Sequence, residues 1–186
     1  MAETQSKAAG GQFAEAMERC RGVFAAKLRD YGASWRMMRP ASLTDQMLIK
    51  ALRIRTLETA GGAMVDETPE EGYAALVNYG IIALIQMEEG YADRPDMDPA
   101  RAMELYSKWA AEATALMERK NHDYGGAWRM MRTQSYTDII LTKLHRIKEI
   151  EDSGGRTEVS EGVESNYMDI VNYAVFGLVK LSGADG

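Results

Sequence analysis

The same ten-residue pattern occurs twice in this chain of 186 residues, once as DYGASWRMMR and once as DYGGAWRMMR. When residues 27–58 are aligned on residues 120–151 without a gap, 17 of the 32 aligned positions carry the same residue. The similarity continues after a one-residue insertion. Because a repeat of this length marks one structural unit present in two copies, the sequence predicts a duplicated fold.

Each copy has the residue spacing of helices. Apolar residues recur three and four positions apart, and no strand-like alternation persists, so we predict three helices in each copy. Asp98 followed by Pro99 is typical of a helix start, and the glycine of each Asp-Tyr-Gly can adopt the positive φ that ends a helix. Ser42 and Ser135 each precede an acid by three residues, which predicts a capping box at the start of each second helix.

Three helices with one apolar face each cannot bury that face alone, so we expect the two copies to cover each other. The predicted fold is all-α, a six-helix bundle built from two three-helix repeats with pseudo-two-fold symmetry. The domain prediction is a flexible N-terminal tail over residues 1–11 and a single domain over residues 12–186. Repeat 1 spans residues 12–90 and repeat 2 spans residues 98–182. Association of two whole chains into a homodimer is also compatible with the sequence.

Composition excludes several classes of function. The net charge of −6 gives no overall attraction for a long nucleic acid, although a local basic pocket for a small anion remains compatible with it. No apolar run is long enough to span a bilayer, so no membrane partner is expected. The single cysteine, Cys20, cannot form an internal disulfide, which favours a cytoplasmic location; at its helical position we expect a buried filler.

Two basic residues lie on or beside the apolar face of the second helix in repeat 2. On a helical wheel Lys143 lies in the middle of an arc of isoleucines, and Arg146 borders the same arc. A lysine facing a core needs a carboxylate, a ligand phosphate or a route to water. The third helix supplies polar side chains within one sector of its surface: Glu161, Glu164, Asp169 and Asn172.

Two interpretations of these charges remain open. In the first, Lys143 forms a structural ion pair with Glu164 or Asp169. In the second, the acids hold Mg²⁺ while Lys143 and Arg146 contact the phosphate oxygens that share the metal. Asp169 is matched by Ala75 in repeat 1, so a site that needs this acid would be complete only in repeat 2.

The loop of repeat 2 offers further candidates for substrate binding. Tyr124 and Trp128 could stack on a base or fill the gap between the copies, with packing favoured. Arg129 and Arg132 could meet phosphates or cap helix ends. His122 beside Asp123 could transfer a proton or simply lie on the surface at a helix end.

The sequences KNHDYGGAWRMMR and EGVESNYMDIVNY, together with the spacing Lys143-x-x-Arg146, resemble the nucleotide modification associated domain family, most strongly over residues 115–181. This resemblance implies a role in nucleotide metabolism. A wider resemblance is to the all-α nucleoside triphosphate pyrophosphohydrolases of the MazG type, which use Mg²⁺ to release pyrophosphate. Of the acids that hold metal in those enzymes, only Glu164 and Asp169 have plausible counterparts here.

The leading functional hypothesis is therefore a Mg²⁺-dependent pyrophosphohydrolase acting on a nucleoside triphosphate. Glu161 or Glu164 would accept the proton of the attacking water, and Lys143 and Arg146 would stabilise the developing charge. The remaining predicted substrate contacts are His122, Asp123, Tyr124, Trp128, Arg129, Arg132 and Asn172. One alternative is a nucleotide-binding or regulatory module without turnover, and another is a structural helical assembly protein.

Overall fold

Six α-helices make up the fold, joined by short connections. The computed structural model describes residues 2–60, 66–155 and 162–183, with side chains from residue 10. Within those ranges there is no strand, and the predicted all-α duplicated fold is confirmed. The helices are α1 (Ala2–Tyr31), α2 (Pro40–Ala60), α3 (Pro69–Glu89), α4 (Pro99–Tyr124), α5 (Thr133–Asp152) and α6 (Val163–Leu181). Short 3-10 turns at Ser34–Met37 and Ala127–Met130 precede α2 and α5.

Several helix ends follow from local chemistry. The Asp98 side chain accepts a hydrogen bond from the backbone N–H of Arg101 at 3.0 Å, as predicted for the start of α4. The left-handed Gly125, with φ of 59°, ends the same helix. A capping box is present at α3, where Thr68 and Glu71 satisfy each other's backbone N–H groups.

The capping boxes predicted at Ser42 and Ser135 are wrong. Both serines lie inside helices, because α2 begins at Pro40 and α5 begins at Thr133. Proline at the first helical position has a fixed φ suited to a helix and lacks the N–H that a cap would satisfy, so α2 starts earlier.

Helical backbone also extends through the segment for which the sequence predicts a loose tail. The helix α1 begins at Ala2 rather than after residue 11. Six of residues 2–11 are alanine, glutamate, glutamine or lysine, and these residue types have high helix propensity. The boundaries of the single domain and of its repeats stay predictions.

The helices lie in three layers, each with one helix from each repeat. The middle layer is α3 with α6; α2 and α5 cover one of its sides, and α1 and α4 pack on the other. Buried positions run around most of the circumference of α3 and α6, as expected of helices enclosed on both sides. Equivalent helices therefore make equivalent contacts, which is the pseudo-two-fold symmetry.

Two matching polar clusters join the repeats. Thr44 of α2 hydrogen-bonds the hydroxyl of Tyr167 at 2.6 Å and Glu151 at 3.0 Å. In the symmetry-related place, Tyr73 and Glu58 both bond Thr137, at 2.7 and 2.9 Å. Burial raises the pKa of both glutamates. Each cluster takes side chains from both copies and so fixes the register of one repeat on the other.

None of the helices in the described ranges has the length and apolar character needed to cross a bilayer.

Candidate functional site

A cleft of about 700 Å³ opens in repeat 1 between α1, α2 and the first half of α3. Its walls come from the last turns of α1, the first 3-10 turn, the middle of α2 and the residues that lead into α3. Charged and aromatic side chains share this lining: Lys27, Lys50, Asp66, Glu67, Glu71, Phe24, Tyr31, Trp35 and Tyr79. All of the lining belongs to a single repeat.

Two lysines supply the positive charge of the cleft. Lys50, on α2, bonds the carboxylate of Glu67 at 2.6 Å, and both side chains are about a quarter exposed. Lys27, on α1, is exposed and forms no ion pair with any residue that the structure describes. An ammonium group has three donors, so Lys50 keeps hydrogen-bonding capacity beyond Glu67.

Three carboxylates lie in the same lining. Asp66 and Glu67 precede α3, and Glu71 belongs to its first turn, where it also closes the capping box with Thr68. The acids outnumber the lysines by one. Across the described ranges no three His, Cys, Asp or Glu side chains converge to form a metal cage. Mg²⁺ often binds through only one or two carboxylates plus substrate phosphates, so this lining could hold the ion together with a phosphate ligand.

The aromatic wall of the cleft combines an exposed ring with a buried one. Tyr31 is 57% exposed, whereas Trp35 is 8% exposed and packs against Phe24. The indole Nε1 of Trp35 is buried and has no hydrogen-bond partner within the described part of the chain. The equivalent Nε1 of Trp128 in repeat 2 is also buried without a partner among the described residues, so this unpaired donor is common to both repeats.

Repeat 2 arranges the equivalent lysines differently. Lys120 bonds one oxygen of Asp169 at 2.6 Å, and Lys143 bonds the other oxygen at 2.8 Å. Asp169 is 4% exposed. The ion-pair interpretation of Lys143 therefore describes the observed contact, and both carboxylate oxygens that a metal would need already face ammonium groups.

Two of the predicted loop residues of repeat 2, Trp128 and Arg129, contact other parts of the chain. Trp128 is buried and stacks on Phe176, with ring centroids 4.3 Å apart. The guanidinium of Arg129 lies 4.4 Å from the Trp128 ring centroid and bonds Gln12 at 3.1 Å. The counterpart of Arg129 in repeat 1, Arg36, is buried and bonds Asp96 at 2.8 Å.

Among the other predicted site residues that the structure describes, one is buried and six are exposed. Asn172 is buried and donates to the carbonyl of Ala113 at 2.9 Å. His122 and Asp123 contact each other at 3.2 Å, with most of both side chains exposed. Four further predicted residues, Tyr124, Arg132, Arg146 and Glu164, are exposed. Glu161, predicted as a catalytic base, lies outside the described residues.

Lys27 and the cleft that it lines were not predicted from the sequence. A signal was present, because Lys27 and Lys120 are identical residues at equivalent positions of the two copies. Lys27 lies near the end of a helix whose sequence is typical of an exposed surface helix, and nothing in that sequence indicates that the lysine faces a cleft.

Cys20 is buried, as the sequence predicts. Burial raises the pKa of its thiol to about 12, as expected for a packed and unreactive side chain.

These features define an all-α protein made of a duplicated three-helix unit, with an open charged cleft in its first copy. The family model described as Nucleotide modification associated domain 1 matches residues 27–87 and again residues 120–181, one match on each repeat. Together the matches cover more than half of the chain, and the chain belongs to this family. No curated protein and no solved structure matches the chain. The wider resemblance to MazG-type enzymes stays a prediction.

Proposed function

We propose that this protein binds a nucleotide in the cleft of repeat 1. The observation that supports the proposal most is the presence of lysine and aromatic side chains in one cleft, within a chain whose family is associated with nucleotide modification. The base would lie against Tyr31 and Trp35, and the phosphates would lie near Lys27 and Lys50. A volume of about 700 Å³ is within the range of roughly 300–1,000 Å³ typical of small-molecule sites.

The charges of the cleft favour a nucleotide that carries a divalent cation. Three carboxylates face two lysines, so a free triphosphate would meet a net negative lining. With a Mg²⁺ ion bound between the phosphates and the lining, the two lysines, three carboxylates and ion sum to +1, and we propose that Asp66 and Glu67 contact this ion or its water ligands. We therefore expect Mg²⁺ to strengthen binding.

The second candidate function is Mg²⁺-dependent hydrolysis of a nucleoside triphosphate. The carboxylates beside the lysines favour it, because one of them could accept the proton of an attacking water. In that reaction the water oxygen bonds to the α-phosphorus, the bond to the β-phosphate oxygen breaks, and pyrophosphate leaves. The residues of repeat 2 proposed for this role, among them Glu161, Lys143 and Arg146, stay proposals.

Calorimetric titration with a panel of nucleoside mono-, di- and triphosphates, with and without Mg²⁺, tests the binding proposal. We expect Lys27→Met to weaken binding by about tenfold, the size of one lost charge-assisted contact. Lys120→Met, the matched change in repeat 2, should leave affinity within about twofold, because Lys120 already contacts Asp169.

Product analysis under the same conditions separates the two candidates. Release of pyrophosphate with each turnover supports the hydrolase function, and nucleotide binding without release of pyrophosphate supports a binding function without turnover. An unaltered chain that binds none of the nucleotides in the panel, with Mg²⁺ present, overturns both.

A further inference from the structure

The two repeats differ in charge at one position beside a pair of equivalent lysines. Lys27 and Lys50 of repeat 1 correspond to Lys120 and Lys143 of repeat 2. In repeat 2 both lysines contact the carboxylate of Asp169, at 2.6 and 2.8 Å. Repeat 1 has Ala75 at the position of Asp169, and this alanine lines the open cleft.

Asp169 thus marks where an anion lies when both lysines of a repeat contact it. Its carboxylate is almost fully buried, and the two ammonium groups compensate the cost of removing that charge from water. The methyl group of Ala75 supplies no charge and fills less space. In repeat 1 Lys50 contacts Glu67, but no described carboxylate contacts both lysines as Asp169 does in repeat 2.

We propose that the space in front of Ala75, between Lys27 and Lys50, is the phosphate subsite of the cleft. We further infer that Asp169 acts as an internal substitute for that phosphate in repeat 2, so that each chain binds one phosphate ligand and binds it in repeat 1. This inference rests on the proposed nucleotide site, and it differs from the prediction that a site needing Asp169 would be complete only in repeat 2.

The contacts of the lysines in repeat 1 agree with such a role. Lys27 has no ion-pair partner among the described residues, and Lys50 uses Glu67 for only one of its donors. A phosphate or pyrophosphate group has enough acceptor oxygens to meet both ammonium groups at once, as the two oxygens of Asp169 do in repeat 2.

The test introduces the internal anion into repeat 1 of the full chain. Titration with inorganic pyrophosphate, with Mg²⁺ present, compares the unaltered chain with Ala75→Asp and Ala75→Asn. Aspartate and asparagine have nearly the same size, so the comparison isolates the charge. We expect Ala75→Asp to weaken pyrophosphate binding by at least about tenfold relative to Ala75→Asn. Equal affinities of the two variants would overturn the inference.

The reciprocal change removes the internal anion from repeat 2. In Asp169→Ala, Lys120 and Lys143 lose their carboxylate, and we expect pyrophosphate to raise the melting temperature of this variant more than that of the unaltered chain. If Asp169→Ala does not fold, Asp169→Asn retains the side-chain shape and serves for the same comparison. A thermal shift by pyrophosphate no larger than in the unaltered chain contradicts the substitute role of Asp169.

Failure of the inference and failure of the proposed function give different results. Pyrophosphate binding without any nucleotide binding overturns the proposed function and leaves the subsite supported. Nucleotide binding that pyrophosphate does not displace overturns the subsite and leaves the proposed function supported. An unaltered chain that binds neither overturns both.

Discussion

At the scale of single residues, two equivalent asparagines show how the copies have diverged. Asn78 donates to the carbonyl of Cys20 at 3.1 Å, and its Oδ1 accepts from the hydroxyl of Tyr106 at 2.7 Å. Asn172 donates to the carbonyl of Ala113 in the same manner, but its buried Oδ1 has no partner within the described part of the chain. The residue equivalent to Tyr106 is Phe13, which lacks the hydroxyl group.

We expect Phe13→Tyr to stabilise the protein, because the added hydroxyl would reach the unpaired oxygen of Asn172. The gain in free energy of unfolding should be about 1 kcal/mol, the net value of a typical hydrogen bond. Urea denaturation followed by circular dichroism measures this difference.

The matched change is Tyr106→Phe, which removes the equivalent hydroxyl from repeat 1. It should lower the free energy of unfolding by about 1–3 kcal/mol, because Asn78 Oδ1 would then be buried without a donor. A destabilised Phe13→Tyr variant would show that the pseudo-symmetry does not extend to this contact.

At the scale of the helices, the close packing of α3 against α6 depends on glycine. A Cβ atom on Gly177 would lie 2.8–2.9 Å from three ring carbons of Tyr73, and one on Gly80 would lie 2.7 Å from a methyl group of Val171. The Tyr73 ring has little freedom to move away, since it is fully buried and its hydroxyl bonds Thr137. These two glycines therefore set how closely the middle helices approach.

We predict that Gly177→Ala destabilises the protein by about 1–3 kcal/mol, the usual cost of overpacking a filled core. The higher helix propensity of alanine offsets part of that cost but not all of it. Thermal unfolding of the variant beside the unaltered chain gives the measurement.

Gly22→Ala is the control for this prediction. Gly22 lies inside α1, and a methyl group at this position would have no neighbouring atom within 4 Å, so alanine should stabilise there by roughly 0.5–1 kcal/mol. If both alanine variants stabilise the protein to the same extent, the contact between Gly177 and Tyr73 does not limit the packing.

At the scale of the whole molecule, the two repeats share one core. Each of the three layers takes one helix from each copy, and the polar clusters around Thr44 and Thr137 join side chains of both. A separated repeat would expose the buried face of α3 or α6 and break these hydrogen bonds. We therefore predict that the repeats are parts of one folding unit.

We expect residues 1–93 and residues 94–186, produced as separate chains, to fold only when they associate. Helical content should rise with protein concentration and rise further when the two halves are mixed, because association restores the buried faces. Circular dichroism and analytical ultracentrifugation over a concentration series measure this. A monomeric half that unfolds cooperatively, with a midpoint independent of concentration, would contradict the shared core.

The fold could be predicted well from the sequence, whereas the candidate site could be predicted only in part. The apolar spacing and the repeat can be recognised in the sequence itself, and they predict the helices and the duplication. The contact of Lys143 with Asp169 corresponds to one of the two interpretations that the sequence left open. Helix starts at Pro40 and Thr133 were misplaced because the serines that follow them resemble caps. The contacts of Trp128 and Arg129 could not be predicted, because they depend on which helices, far away in the sequence, pack against these side chains.

By itself, the sequence determined that this protein has a duplicated all-α fold, because the helical spacing of apolar residues and the similarity of the two copies can both be recognised in the sequence. Only the tertiary structure showed that repeat 1 forms a cleft with the volume of a small-molecule site. In repeat 2 an acid on α6 contacts lysines of α4 and α5, whereas in repeat 1 an alanine on α3 lines the same cleft as the two equivalent lysines, and such contacts arise only when the helices pack. The alignment of the two repeats already places Ala75 opposite Asp169, but only the structure shows that this alanine lines the cleft.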